Sequence, residues 1–117
     1  MKDRFITTGS DMCKQFRSAF IGMPGVTIYA DEIISEGDFF GEIRLNGLHF
    51  LEVCRFKREK CFELRYVDFS ERDNRLCIIA EYKSIRRAIT AAKRIIKEGK
   101  RPSPIKVYNY QRLTNRL

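Results

Sequence analysis

A chain of 117 residues, 44% hydrophobic and 32% charged, has the length of one domain and is too short for two. No apolar run approaches the roughly 20 residues that span a bilayer, and the first residues, MKDRFITTGSDM, lack the apolar core of a secretory signal, so a cytoplasmic protein is expected. The formal charge of +8 is unevenly placed: residues 1–82 hold 12 Lys and Arg against 14 Asp and Glu, a net of −2, whereas residues 83–117 hold 11 against one, a net of +10.

In chain order, residues 10–22 predict a short helix. Ser10 or Asp11 can cap its free N–H groups, Met12, Phe16, Ala19 and Phe20 make one apolar stripe, and Gly22 suits the exit. Pro24 and Gly25 then break regular structure. From residue 26 the period changes to two, and VTIYADEII (26–34) predicts a first strand followed by a turn at 35–38.

FFGEIRLNGLHFLEV (39–53) predicts a hairpin. Asn46-Gly47 between two alternating runs favours a two-residue type I′ turn, because both positions tolerate positive φ. That register pairs Leu45 with Leu48, Ile43 with Phe50 and Phe39 with Cys54 on a clean apolar face. Arg44 with His49, Glu42 with Leu51 and Phe40 with Val53 fall on a mixed face, where His49 is expected as a surface residue. KREK (57–60) turns the chain into a strand at 61–69, and SERDN (70–74) turns it into another at 75–82. Five strand-like runs joined by four short polar turns make an antiparallel meander.

Residues 84–99 predict a second helix, with Ser84 as N-cap, Gly99 as stop and Pro102 just beyond. Ile85, Ala88, Ile89, Ala92, Ile95 and Ile96 form the apolar stripe, and Arg86, Arg87, Lys93, Arg94 and Lys97 lie on the other side. The helix dipole favours cations in the last turn and disfavours them in the first, so helix stability does not explain Arg86 and Arg87. A solvated helix usually mixes signs to gain i,i+4 pairs, yet this one has no acid before Glu98.

Residues 102–117 are expected as an extended basic tail beyond a single domain of 1–101, with IKVYNY (105–110) able to add an edge strand. Tyr108 and Tyr110 interleave with Lys106 and Arg112, a pattern that can stack bases and hold phosphates. The fold expected is α+β: a five-stranded meander with the short N-terminal helix and the basic C-terminal helix packed on one face. Ile43, Leu45, Phe50, Leu64, Ile78, Ile89 and Ala92 are expected on its apolar side.

Catalytic chemistry leaves little trace. Cys13, Cys54, Cys61 and Cys77 include no C-x-x-C pair, so no metal is assigned. They read as small apolar fillers, although Cys54 and Cys61 are near enough in a hairpin for a disulfide to be thinkable. One histidine supplies no triad by any obvious spacing, and the paired acids Asp31/Glu32 and Asp68/Glu71 sit at strand ends and turns. No Gly-rich phosphate cradle occurs. A nuclease site built from Asp, Glu and Lys has no fixed spacing to read. No catalytic residue, cofactor or small-molecule substrate is assigned, and the expectation is a non-enzymatic binding protein.

A helix, an antiparallel meander and a second helix beginning S-x-R-R-A-x-x-A-A (Ser84, Arg86, Arg87, Ala88, Ala91, Ala92) resembles, in outline, the double-stranded RNA-binding domain. It departs from it in having five strands rather than three, in a basic pair one position too close to the first alanine, and in lacking a Gly-rich loop before the helix. The charge pattern points to nucleic acid or a ribonucleoprotein as partner. The surface expected to hold it comprises Arg86, Arg87, Lys93, Arg94, Lys97, Lys100, Arg101, Lys106, Tyr108 and Tyr110. The alternative is a protein-interaction module, a small inhibitor or adaptor of mobile-element type, whose basic face docks an acidic partner.

Overall fold

Period-two alternation from residue 27 to residue 82 builds a sheet, and the two segments with apolar residues three and four apart build helices on it. A computed structural model describes residues 6–69, 75–100 and 102–109. The turn expected at 70–74, Arg101, Tyr110 and the basic terminus at 111–117 lie outside the described residues. The elements are β1 (Ile6–Thr7), α1 (Asp11–Phe20), β2 (Thr27–Ile33), β3 (Asp38–Arg44), β4 (His49–Arg55), β5 (Phe62–Asp68), β6 (Arg75–Tyr82), α2 (Ile85–Glu98) and β7 (Lys106–Asn109). The strands lie in chain order in one antiparallel sheet. The α+β class and the meander are as expected, but among the described residues the sheet has seven strands and not five. Both additions are edges. β1, at two residues, is too short to show a period, and β7 is the stretch read as able to add an edge strand. No helix among the described residues is long and apolar enough to cross a membrane.

Both helices sit on one face of the sheet, in a single core with Phe39, Ile43, Leu51, Val53 and Leu64. The Ser10 side chain caps α1 by accepting the Cys13 N–H at 3.2 Å, and Cys13, Phe16 and Phe20 are buried beneath it. Phe16 lies directly over Gly41, where a Cβ would stand 2.7 Å from the ring, so only glycine allows this approach. The Phe16 ring also meets Phe20 at 5.2 Å and Phe39 at 5.8 Å. In α2, Ser84 accepts the Arg87 N–H at 3.2 Å, and Gly99 closes the helix at φ 68° with its N–H donating to Ile95 O at 2.9 Å. Ala88 and Ala92, fully buried, let the α2 backbone lie close to the sheet.

The β3–β4 hairpin departs from expectation by one residue. Leu45 N donates to His49 O at 2.9 Å, and the pairs are Ile43 with Leu51 and Phe40 with Cys54. The cause is Asn46. Its Oδ1 accepts from Leu48 N at 2.9 Å and His49 N at 3.0 Å, which stabilises a three-residue loop, and Gly47 stays out of the left-handed region. A one-residue slip exchanges the two faces of a strand. Leu51 and Val53 therefore enter the core, whereas Phe50 joins Val67, Leu76 and Ile78 in a second buried cluster on the face without helices. Ile78 also departs from its expected face. A bulge at Leu64/Arg65 pairs Arg65 with Ile78 and leaves Ile79 as the core residue.

Outside glycine, positive φ occurs among the described residues at Lys57 (52°) and Arg58 (55°), between β4 and β5. The turn at 34–37 and Asp38, the first residue of β3, hold them there. Lys57 N donates to Asp38 Oδ1 at 2.6 Å, Arg58 N to Gly37 O at 3.2 Å, and the Arg58 guanidinium to Ser35 O at 3.3 Å. Tertiary hydrogen bonds thus impose a conformation that these residue types disfavour.

Candidate functional site

Seating the apolar stripe of α2 on the sheet turns its opposite side to solvent. At about 100° per residue, Arg86, Arg87, Lys93, Arg94 and Lys97 fall within an arc of roughly 120°, with Thr90 near its centre. All six are exposed, as is Lys100 just beyond the helix. The Thr90 hydroxyl donates to Arg86 O at 2.9 Å, so the middle of the arc is neutral and locally satisfied. Lys93 and Lys97 flank α2 on the side of Met23 and Pro24, and Arg87 and Arg94 line it on the side of Tyr82.

These cations have no ion-pair partner among the described residues. Among the described residues the basic–acidic side-chain contacts within 4 Å are His49–Asp68 and Arg65–Glu63, and none of the five α2 cations belongs to one. The face of the sheet without helices handles charge in the opposite way. There the Arg65 guanidinium donates to Glu63 Oε1 at 2.6 Å and 3.2 Å, and lies 5.4 Å from the Phe56 ring centre. Glu52, 8% exposed, neighbours them. Burial pushes its carboxyl up to about 7, with Arg65 drawing it down and Glu42 adding to the rise.

Of the open grooves along α2, two share Thr90 and Arg94. The first, about 600 Å³, lies between the end of β6 and the first turns of the helix, lined by Tyr82, Arg86, Arg87, Thr90, Ala91 and Arg94, with Ser84 at its end. The second, about 890 Å³, sets Met23, Pro24 and Ile96 against Lys93 and Lys97, with Glu98 also in the lining. Tyr82 went unmarked in the sequence, and Thr90 and Ala91, though read as parts of the second helix, were not expected to line a binding site. The one available signal was an aromatic residue two positions before the N-cap of the basic helix.

The residues expected to form one surface are divided. Arg86, Arg87, Lys93, Arg94 and Lys97 are together on α2, and Lys100 extends them. Lys106 and Tyr108 pair with Ile78 and Leu76, which places them on the opposite face of the sheet. Arg101 and Tyr110 lie outside the described residues. His49 is not on the mixed face opposite Arg44. The one-residue slip carries it to the helix-covered side, where Nδ1 is 2.9 Å from Asn46 Oδ1, Nε2 is 3.3 Å from Asp68, and the ring is 5.9 Å from that of Tyr66. Cys54 and Cys61 are free thiols, and burial pushes the Cys54 thiol up, away from the reactive thiolate. Among the described residues no group of three His, Cys, Asp or Glu side chains is placed to hold a metal ion.

No family model matches the chain, and comparison with curated proteins and with solved structures gives no match.

Proposed function

We propose that this protein is a non-enzymatic binder of nucleic acid, free or within a ribonucleoprotein, and that the exposed face of α2 is the binding surface. One observation carries the reading: five cations share a single exposed arc of α2 with no carboxylate among the described residues paired to any of them. Unpaired surface cations repel one another and add little to folding, and they gain most when a polyanion displaces its counterions onto them. Arg86 and Arg87 strengthen the case, since in the first turn they oppose the helix dipole. Phosphate contacts of this kind position a protein without reading sequence, so weak base specificity is expected.

The test is purification with and without a high-salt wash, followed by the ratio of absorbance at 260 and 280 nm. Nucleic acid that co-purifies at low salt and leaves at high salt supports the reading; its absence at every salt concentration counts against it.

A second reading is favoured by the groove beside Met23, Pro24 and Ile96, whose apolar lining beside Lys93, Arg94 and Lys97, with Glu98 the one acid, suits an acidic protein segment with an apolar anchor. For that partner, salt should act mainly on the association rate and leave the dissociation rate little changed.

A further inference from the structure

The groove between Tyr82 and α2 combines features that a phosphate-binding ridge alone does not need. Arg87, Ala91 and Arg94 stand at i, i+4 and i+7, so they follow one another along the same side of the helix. The two arginines are about 10 Å apart along the axis, with Ala91 between them. Tyr82, the last residue of β6, faces them across the groove. It is half-buried against the core, and its hydroxyl makes no hydrogen bond among the described residues. The floor is therefore apolar and aromatic, and a guanidinium stands at either end.

Two hydroxyls complete the lining. Ser84 accepts the Arg87 N–H and keeps its own proton to donate, whereas Thr90 donates to Arg86 O and keeps its lone pairs to accept. At about 600 Å³ the groove lies within the range of sites that hold small ligands.

Resting on the reading of α2 as a nucleic-acid interface, we infer that the form bound is single-stranded. One unstacked base lies in the groove against Tyr82 and Ala91, and Arg87 and Arg94 hold the phosphates on either side of it. A duplex keeps its bases stacked and paired, and would cross the ridge of α2 leaving this floor empty. A single strand presents base faces and phosphates alternately, and each meets its complement here. The shared Thr90 and Arg94 then lead the strand over the helix towards Lys93 and Lys97 in the second groove.

The test is fluorescence anisotropy at one fixed salt concentration. The probes are labelled (dT)12 and (rU)12, a 12-nucleotide abasic strand of equal charge, and a 12-base-pair duplex. At least one of the two base-bearing strands should bind about tenfold more tightly than the abasic strand, and more tightly than the duplex. Tyr82→Leu keeps an apolar body in the core and removes the ring. Ala91→Gln, at a half-buried helical position, fills the groove without charge. Each should bring that strand down towards the abasic strand and leave the abasic strand unchanged. Equal binding of abasic and base-bearing strands overturns the inference, as does duplex binding that matches or exceeds them, or a folded Ala91→Gln variant with unaltered affinities. Any of these leaves α2 as a phosphate-binding surface. Failure of every probe to bind at low salt overturns both that reading and this inference.

Discussion

Two surfaces of this molecule carry charge and use it differently. On the open face of the sheet, Arg65 is held by Glu63 and stacked on Phe56, and Glu52 is buried beside it. That charge is committed to the protein's own structure. On α2, five cations stand in solvent with no partner among the described residues. The contrast teaches that position in the fold, and not the number of charges, separates a structural cluster from a surface available to a polyanion.

The largest effect comes from breaking the platform under α2. Ala92 is fully buried against the sheet, so Ala92→Asp places an unpartnered carboxylate there at a cost on the order of several kcal/mol. Loss of a cooperative thermal transition is the expected outcome. A variant that melts like the parent would show that α2 is not seated as described.

The next effect belongs to the open face. Glu52 is held protonated up to about 7, against an ordinary value of 4.5. Below 4.5 both folded and unfolded chains carry the proton and nothing is gained or lost. As pH rises from 4.5 to 7 the unfolded chain releases its proton first, so stability falls, by an amount on the order of 3 kcal/mol once pH exceeds 7. Glu52→Gln should therefore match the parent in denaturant unfolding at pH 4 and exceed it at pH 8. Equal stability at both pH values would remove Glu52 from the cluster that stores charge at a cost.

The smallest effect sharpens the division between the two faces. Lys106 and Tyr108 lie across the sheet from α2, so Lys106→Glu with Tyr108→Ala should change nucleic-acid affinity by less than about threefold, allowing for the long-range term that screening leaves. A loss comparable to that of α2 variants would mean that the surface wraps the β7 edge.

Local chemistry made part of this legible in the sequence. The bounds of α2, its caps and its cationic arc follow from Ser84, Gly99 and the isoleucine and alanine spacing, all of which act within one element. What was hidden depends on distant groups. Asn46 is a strong turn signal, but its side chain chose a longer loop than its dipeptide suggests, and the slip turned β4 over. Lys57 and Arg58 take positive φ because a separate turn holds them, and neither residue type announces it. The grouping of Lys106 and Tyr108 with α2 failed for a related reason, since side-chain parity in β7 depends on its register with β6. The Tyr82 groove exists only where the end of β6 meets α2, so no single segment displays it.

The central claim is that the exposed face of α2 binds a polyanion, and charge reversal tests it most directly. Arg86 and Arg94 are exposed and point away from the buried stripe, so Arg86→Glu with Arg94→Glu should leave the melting temperature within a few degrees of the parent. The measurement is affinity for a labelled oligonucleotide as a function of salt, for the parent and for this double variant. If all five cations meet phosphates, the parent's log affinity should fall by roughly 3.5 per log unit of salt on a single strand and roughly 4.5 on a duplex. The double variant, though folded, should show no binding even at the lowest salt. A folded double variant that binds with the parent's affinity and salt slope would contradict the account.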